Sequence, residues 1–183
     1  MIKPSHKKII VFGNAGSGKT TLAKVLHAKF HIPLYHLDRY YWKPGWERTD
    51  REQFGKIHRE LCERDQWILE GSYPKFLPER VAHADVVVFL DIPRYLCMWR
   101  VLKRTILNLG KILSDTPEGC KQKIFDTKFF EFLSWIWNFN KRYRADVLAL
   151  LKSSEFEHTK QMYILHSPQE MDAFIKQLKN ELQ

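Results

Sequence analysis

Cysteine is scarce in this chain, and the three residues present stand apart. Cys62, Cys97 and Cys120 show no C-x-x-C spacing, so neither a disulfide framework nor a cysteine-bound zinc is to be expected. Long apolar runs are missing too: nothing approaches the roughly 18 residues of a membrane-spanning helix. The opening Met1-Ile2-Lys3-Pro4 lacks the hydrophobic stretch of a secretory signal. A cytoplasmic protein with no membrane partner is therefore expected. There is no internal repeat and no low-complexity tract. Acidic residues are outnumbered, 21 Asp and Glu against 30 Lys and Arg, for a formal charge of +9. No helix-turn-helix, RNP or zinc-finger signature accompanies that charge. Glycine is sparse as well, eight residues in 183, and three of the eight fall within one short stretch.

That stretch is Gly13-Asn14-Ala15-Gly16-Ser17-Gly18-Lys19-Thr20, which fits G-x-x-x-x-G-K-[ST], the P-loop pattern. Its flanks fit too. Ile9-Ile10-Val11-Phe12 reads as a buried strand, and Leu22, Val25, Leu26 and Phe30 follow at helical spacing. Glycines there let backbone amides close around phosphate oxygens, and the helix N-terminus adds positive potential. Gly13 to Thr20, with Thr21, are thus candidates for binding ATP, Lys19 reaching the β- and γ-phosphates and the Thr20 hydroxyl ligating Mg²⁺.

The rest of the chain alternates strands and helices. Leu34 to Asp38, Trp67 to Gly71, Val86 to Asp91 and Met162 to His166 read as further strands. Thr49-Asp50-Arg51-Glu52 reads as a capping box with Thr49 as the cap, opening a helix with Phe54, Ile57, His58 and Leu61 on one face. Pro93 starts a helix in which Leu96, Trp99, Leu102 and Ile106 recur at helical spacing. Gly110 to Lys128 is a polar excursion, followed by an aromatic helix from Phe129 that continues to Leu151. Ser167 or Pro168 opens the last helix, through Met171, Phe174, Ile175 and Leu178. The expectation is one α/β domain over 1–183, a three-layer P-loop fold with a five-stranded parallel sheet. In such sheets ligands sit at the carboxyl ends of the strands, where Asp38, Glu70 and Asp91 all fall.

From Arg94 to Arg144 there are eleven Lys and Arg against four Asp and Glu. Two readings compete for this surplus: nucleic-acid binding, or a lobe closing over nucleotide phosphates. The second is favoured, since no DNA-binding motif is present.

Several motifs together resemble the adenylate-kinase-like P-loop kinases, and within them the bacterial DNA-topology-modulation (FlaR-type) group. They are the P-loop, Leu37-Asp38 followed by Trp42-x-Pro44-Gly45-Trp46, Trp67-Ile68-Leu69-Glu70-Gly71-Ser72-Tyr73, and Phe89-Leu90-Asp91-x-Pro93-Arg94-x-x-Cys97-x-Trp99-Arg100. Gly119-Cys120 and Phe132-Leu133-x-Trp135-Ile136-Trp137 complete the set. The resemblance implies a nucleoside-monophosphate-kinase-like sheet with a helical lid inserted at about 105–141. It implies transfer of the γ-phosphate of ATP, with Mg²⁺, to a small-molecule acceptor such as a nucleoside, nucleotide or metabolite. The group's name points instead to a DNA-associated or regulatory NTPase, the alternative reading. A monomer or homodimer is expected.

The resemblance places Asp38 near the acceptor hydroxyl, as acid/base or as a ligand to Mg²⁺ through water; a helix cap is the plain alternative. Glu70 is similar in place to the acid of the acid-Gly-Phe-Pro-Arg stretch of adenylate kinases and would polarise a Mg²⁺-bound water. Here Tyr73 and Lys75 replace Phe and Arg, and Ser72 is inserted. Asp91 is expected to be structural rather than metal-bound. Arg100 and Arg104, one helical turn apart, are implied to face nucleotide base and phosphates, and Arg142 and Arg144 to act from the lid, with Arg80 a weaker candidate. Tyr41, Trp42 and Trp46 either stack on a planar acceptor or cover the core. The cluster from Phe129 to Phe139 is expected to be core or a dimer contact, and His36 and His58 are expected to be structural.

Overall fold

The computed structural model describes residues 2–112, 117–121, 124, 127–153, 156 and 159–180. Five strands form one parallel sheet: β1 (Lys8–Gly13), β2 (Leu34–His36), β5 (Trp67–Glu70), β6 (Val86–Leu90) and β7 (Gln161–Leu165), in the order β2-β5-β1-β6-β7. A separate two-stranded hairpin joins β3 (Trp42–Lys43) to β4 (Glu47–Arg48). The helices are α1 (Lys19–Phe30), α2 (Asp38–Tyr41), α3 (Arg51–Glu63), α4 (Leu77–His83), α5 (Arg94–Leu107), α6 (Thr127–Phe139), α7 (Ala145–Leu151) and α8 (Pro168–Asn180). A π-helical turn over Asn140–Arg144 joins α6 to α7 without a break in the rod.

Strand residues alternate between two cores, one on each face of the sheet. Ile9, Val11, Ile68, Val86 and Val88 pack with Leu22 and Leu26 of α1, Cys97 and Val101 of α5, and Phe174 and Leu178 of α8. Ile10, Phe12, Leu69, Val87 and Phe89 face the other way, against Phe54 and Leu61 of α3, Val81 of α4 and Val147 of α7. Burial on both faces is why these strands read as continuous apolar runs. Among the described residues no helix is long and apolar enough to cross a membrane. All three cysteines are free and buried, and burial pushes the Cys62 thiol up to about 12 and that of Cys97 to about 11.

Three local expectations are corrected. The cap of α3 is Asp50, not Thr49: Asp50 Oδ1 accepts from the amides of Glu52 and Gln53, while the Thr49 hydroxyl turns back to the Tyr40 carbonyl. Strand β2 ends at His36, so Asp38 opens a one-turn helix instead of closing a strand. On α5 the buried face is Cys97, Val101 and Thr105, whereas Trp99 and Ile106 are 63% and 61% exposed. Of the stretch expected as a lid, the excursion at 113–116, 122–123 and 125–126 lies outside the described residues. Its last part is core: Ile136 and Phe139 are fully enclosed.

His58 is buried between α3 and α4, its Nδ1 2.8 Å from Glu79 and its Nε2 without a partner. Burial, with Arg80, Arg59 and His83 acting the same way, lowers its pKa to about 3. The unfolded chain takes up a proton near pH 6.5 while the folded one does not. His58 therefore contributes stability that is intact above about pH 6.5 and is lost as pH falls toward 3. Denaturant titrations across that range are expected to show a slope from this one proton of about 1.4 kcal/mol per pH unit, and His58→Gln is expected to remove it.

Candidate active site

The P-loop leaves β1 at Gly13 and turns back on itself, the Ser17 amide donating to the Asn14 carbonyl. Two glycines are demanded by space and conformation. A Cβ on Gly16 would lie 2.4 Å from the Cys97 carbonyl oxygen, and Gly18 adopts φ 104° as the N-cap of α1. No side chain caps that helix, and its first turn holds no acid, so its leading amides remain for an anion. The loop is braced from behind. Asn14 Nδ2 donates to the Ile136 carbonyl at 2.8 Å, tying the loop to α6. Arg100 Nη1 donates to the carbonyls of Gly16 and Ser17 at 3.4 Å each, on the carbonyl side of the loop. Lys19 is nearly buried and its Nζ donates to the Asn14 carbonyl at 2.8 Å. Among the described residues nothing bonds the buried Ser17 hydroxyl. Thr20 is half-buried and Thr21 exposed.

The acid side is built at the ends of β2 and β5. His36 and Glu70 are register partners, each the last residue of its strand, and His36 Nδ1 meets Glu70 Oε2 at 2.8 Å. Two residues beyond His36, Asp38 opens onto the cleft and accepts a 2.6 Å hydrogen bond from the Tyr73 hydroxyl at Oδ1. Loss of solvent around Asp38 raises its pKa, and Glu70 pushes the same way. The Tyr73 hydrogen bond, Lys19 and Arg104 pull it down, though not enough to cancel the rise. Lys19 and Arg104 therefore lie within electrostatic reach of Asp38. The half-buried Arg104 has an unpartnered, buried Nε. The two sides are joined directly: the Ser72 hydroxyl donates to the Gly13 carbonyl at 2.7 Å.

The remaining arginines separate. Arg80 is wholly buried, with Nη1 on the Gly71 carbonyl at 3.1 Å and Nη2 on those of Ser72 and Tyr73 at 3.1 and 3.2 Å. Arg144, expected in the lid, pairs through Nε with both oxygens of Asp91 at 3.0 and 2.8 Å. His166 Nδ1 lies 3.2 Å from the same carboxylate, so Asp91 is committed to protein partners. Arg142 is exposed. Tyr41 packs on Trp42, Phe54 and Tyr73, and Trp42 meets Trp46 edge-on at 5.7 Å. Trp46 Nε1 donates to the Lys121 carbonyl and the Gly45 amide to that of Gly119, so the hairpin fastens onto the 117–121 segment.

Thus Lys19, Glu70 and Arg104 all lie within electrostatic reach of Asp38, while Arg100 is held on the carbonyl side of the loop. Sequence reasoning gave Tyr73 no role and found no partner for His36. Strand register, with His36 four residues before Tyr40-Tyr41-Trp42 and Glu70 directly before Gly71, was the available signal for the second. The cradle suits phosphate, given its uncapped helix, positive-φ glycines and unpartnered Ser17 hydroxyl. Among the described residues no group of three His, Cys, Asp or Glu side chains converges as a metal site. The Thr20 hydroxyl and the carboxylates of Asp38 and Glu70 are hard oxygen donors of the kind Mg²⁺ takes.

No protein-family profile matches the chain. It is 30% identical over 124 residues to the uncharacterized protein YqaC of Bacillus subtilis (strain 168), a match covering 65% of this chain and 68% of YqaC. The chain belongs to the YqaC family. In fold this YqaC-family chain is similar to the shikimate kinase of Acinetobacter baumannii, solved in complex with shikimate. The TM-score is 0.56 at 14% identity, covering 98% of this chain and 94% of that one. The shikimate kinase of Bacteroides thetaiotaomicron aligns with a TM-score of 0.50 at 19% identity, over 97% and 99%. The fold is that of the P-loop kinases.

Proposed function

We propose that this protein is a phosphotransferase that moves the γ-phosphate of ATP onto a hydroxyl of a small molecule. One observation carries the reading: Asp38 lies within electrostatic reach of Lys19, the lysine of an anion-ready P-loop, and of Arg104. The P-loop amides and Lys19 hold the donor phosphates, with Thr20 and Glu70 as the groups for Mg²⁺ and Asp38 kept for the acceptor. When bound, that ion neutralises charge on the phosphate oxygens. The acceptor oxygen forms a bond to the γ-phosphorus, the bond from that phosphorus to the β–γ bridging oxygen breaks, and ADP leaves. The acceptor's proton passes to the Asp38 carboxylate, which its raised pKa makes a stronger base than an ordinary aspartate. Arg104 stabilises charge on the transferring group, and Arg142 closes over it from the exposed end of the π-helical turn. The shikimate kinases that share the fold support a small hydroxylated acceptor. The FlaR-type motifs support membership of that subgroup, on which the transfer chemistry does not depend.

A panel of nucleosides, sugars and hydroxy acids assayed for ATP consumption tests the reading. With the acceptor found, Asp38→Asn is expected to bind ATP as the parent does while transfer falls at least about tenfold. Unchanged transfer would take Asp38 out of the mechanism.

A further inference from the structure

Tyr73 follows β5 in a conformation that L side chains rarely adopt, φ 26° and ψ 64°. Nothing in its own sequence favours that geometry, so the surroundings impose it. The buried Arg80 guanidinium clamps the carbonyls of Gly71, Ser72 and Tyr73 in succession. The Phe76 amide donates to the Tyr73 carbonyl, and Ser72 is pinned to Gly13. The ring is wedged between Tyr41 at 4.8 Å and Phe54 at 5.0 Å. Gly71 admits it, since a Cβ there would lie 3.1 Å from the Tyr73 ring and 2.9 Å from Leu37. The outcome of all these constraints is one hydroxyl placed 2.6 Å from Asp38 Oδ1.

We infer that Tyr73 is a positioning residue: its hydroxyl, set by the Arg80 clamp, fixes the Asp38 carboxylate with Oδ1 occupied and Oδ2 turned to the acceptor. A carboxylate on a one-turn helix at the mouth of a cleft otherwise rotates freely about its last torsion. A hydrogen bond from a rigid ring selects one rotamer without adding charge. A tyrosine hydroxyl, with an ordinary pKa of about 10, is a donor at neutral pH. A phenylalanine in its place would keep the ring packing and lose only this bond. The inference rests on the phosphotransferase reading, with Asp38 as the base.

The test is a double-mutant cycle on MgATP turnover with water as the acceptor, read as ADP release. Tyr73→Phe is expected to lower the rate at saturating MgATP about fivefold, with KM for MgATP within twofold of the parent and an unchanged melting temperature. In the Asp38→Asn background the same change is expected to have less than a twofold effect, because no carboxylate remains to orient. Parent-like turnover by Tyr73→Phe overturns the inference, as does an equal proportional loss with and without Asp38. A parent that releases no more ADP than Lys19→Ala, both with water and across the panel of nucleosides, sugars and hydroxy acids, fails differently: it overturns the phosphotransferase reading, and the role of Tyr73 goes with it.

Discussion

Lys19→Ala is expected to lower ATP turnover by at least about 100-fold, the scale on which single groups that stabilise transition-state charge act. In the present state the ammonium is nearly buried and bonded to the Asn14 carbonyl, and no carboxylate among the described residues lies within ion-pair distance. A buried cation so placed is costly to the fold. Removing it relieves that cost, so the melting temperature of the variant is expected to match or exceed that of the parent. The pairing of lost turnover with kept stability separates a role in chemistry from a role in folding. Equilibrium binding of ATP to parent and variant, measured by calorimetry, shows whether the loss lies in holding the donor. A variant that turns over like the parent would remove the P-loop lysine from the reaction.

Arg80→Ala has the opposite signature. Its guanidinium donates to three successive carbonyls, lies over the Phe12 ring with its centre 5.6 Å from the ring centroid, and has no carboxylate partner. Burial lowers its pKa only to about 10, so it is charged at neutral pH. Truncation leaves those carbonyls unpaired and opens a void beneath β1. The expected cost is on the order of 3 kcal/mol, after allowing for relief of the buried charge. For a chain of this size that is a fall in melting temperature of about 6–12 °C. Turnover is expected to fall as well, since the Tyr73 loop loses its clamp. Arg80→Lys is expected to recover little, because a single ammonium cannot span three acceptors set by a planar fork. Thermal denaturation of the two variants checks both statements.

The sheet was legible because its central strands are apolar on both faces, and because the P-loop pattern places strand, turn and helix together. What was hidden depended on contacts far apart in the chain. Helix α5 carries apolar residues all round, so spacing alone offers two faces; packing chose Cys97, Val101 and Thr105 and left Trp99 outside. Thr49 and Asp50 are both good caps, and one residue of register decides between them. Strands of two residues, as in the Trp42 to Arg48 hairpin, are too short for periodicity to reveal. The Asp38–Tyr73 bond needs a strained backbone held by an arginine seven residues further on, and no local pattern encodes that. Arg142 and Arg144 look alike in sequence; only the position of Asp91, just past the end of β6, tells them apart.

The hairpin clasp has a kinetic consequence. The Gly45 amide, the Trp46 indole and the Lys43 carbonyl each meet a partner between Gly119 and Lys121, the last through the Cys120 thiol, and Lys128 adds a bond to the Gly45 carbonyl. Pro44 fills the space beside Gly119, where a Cβ would come within 2.8 Å. Fastened at four points, the hairpin tip is held out of the nanosecond flutter of a free loop, and its release belongs to the microsecond-to-millisecond scale of collective motion.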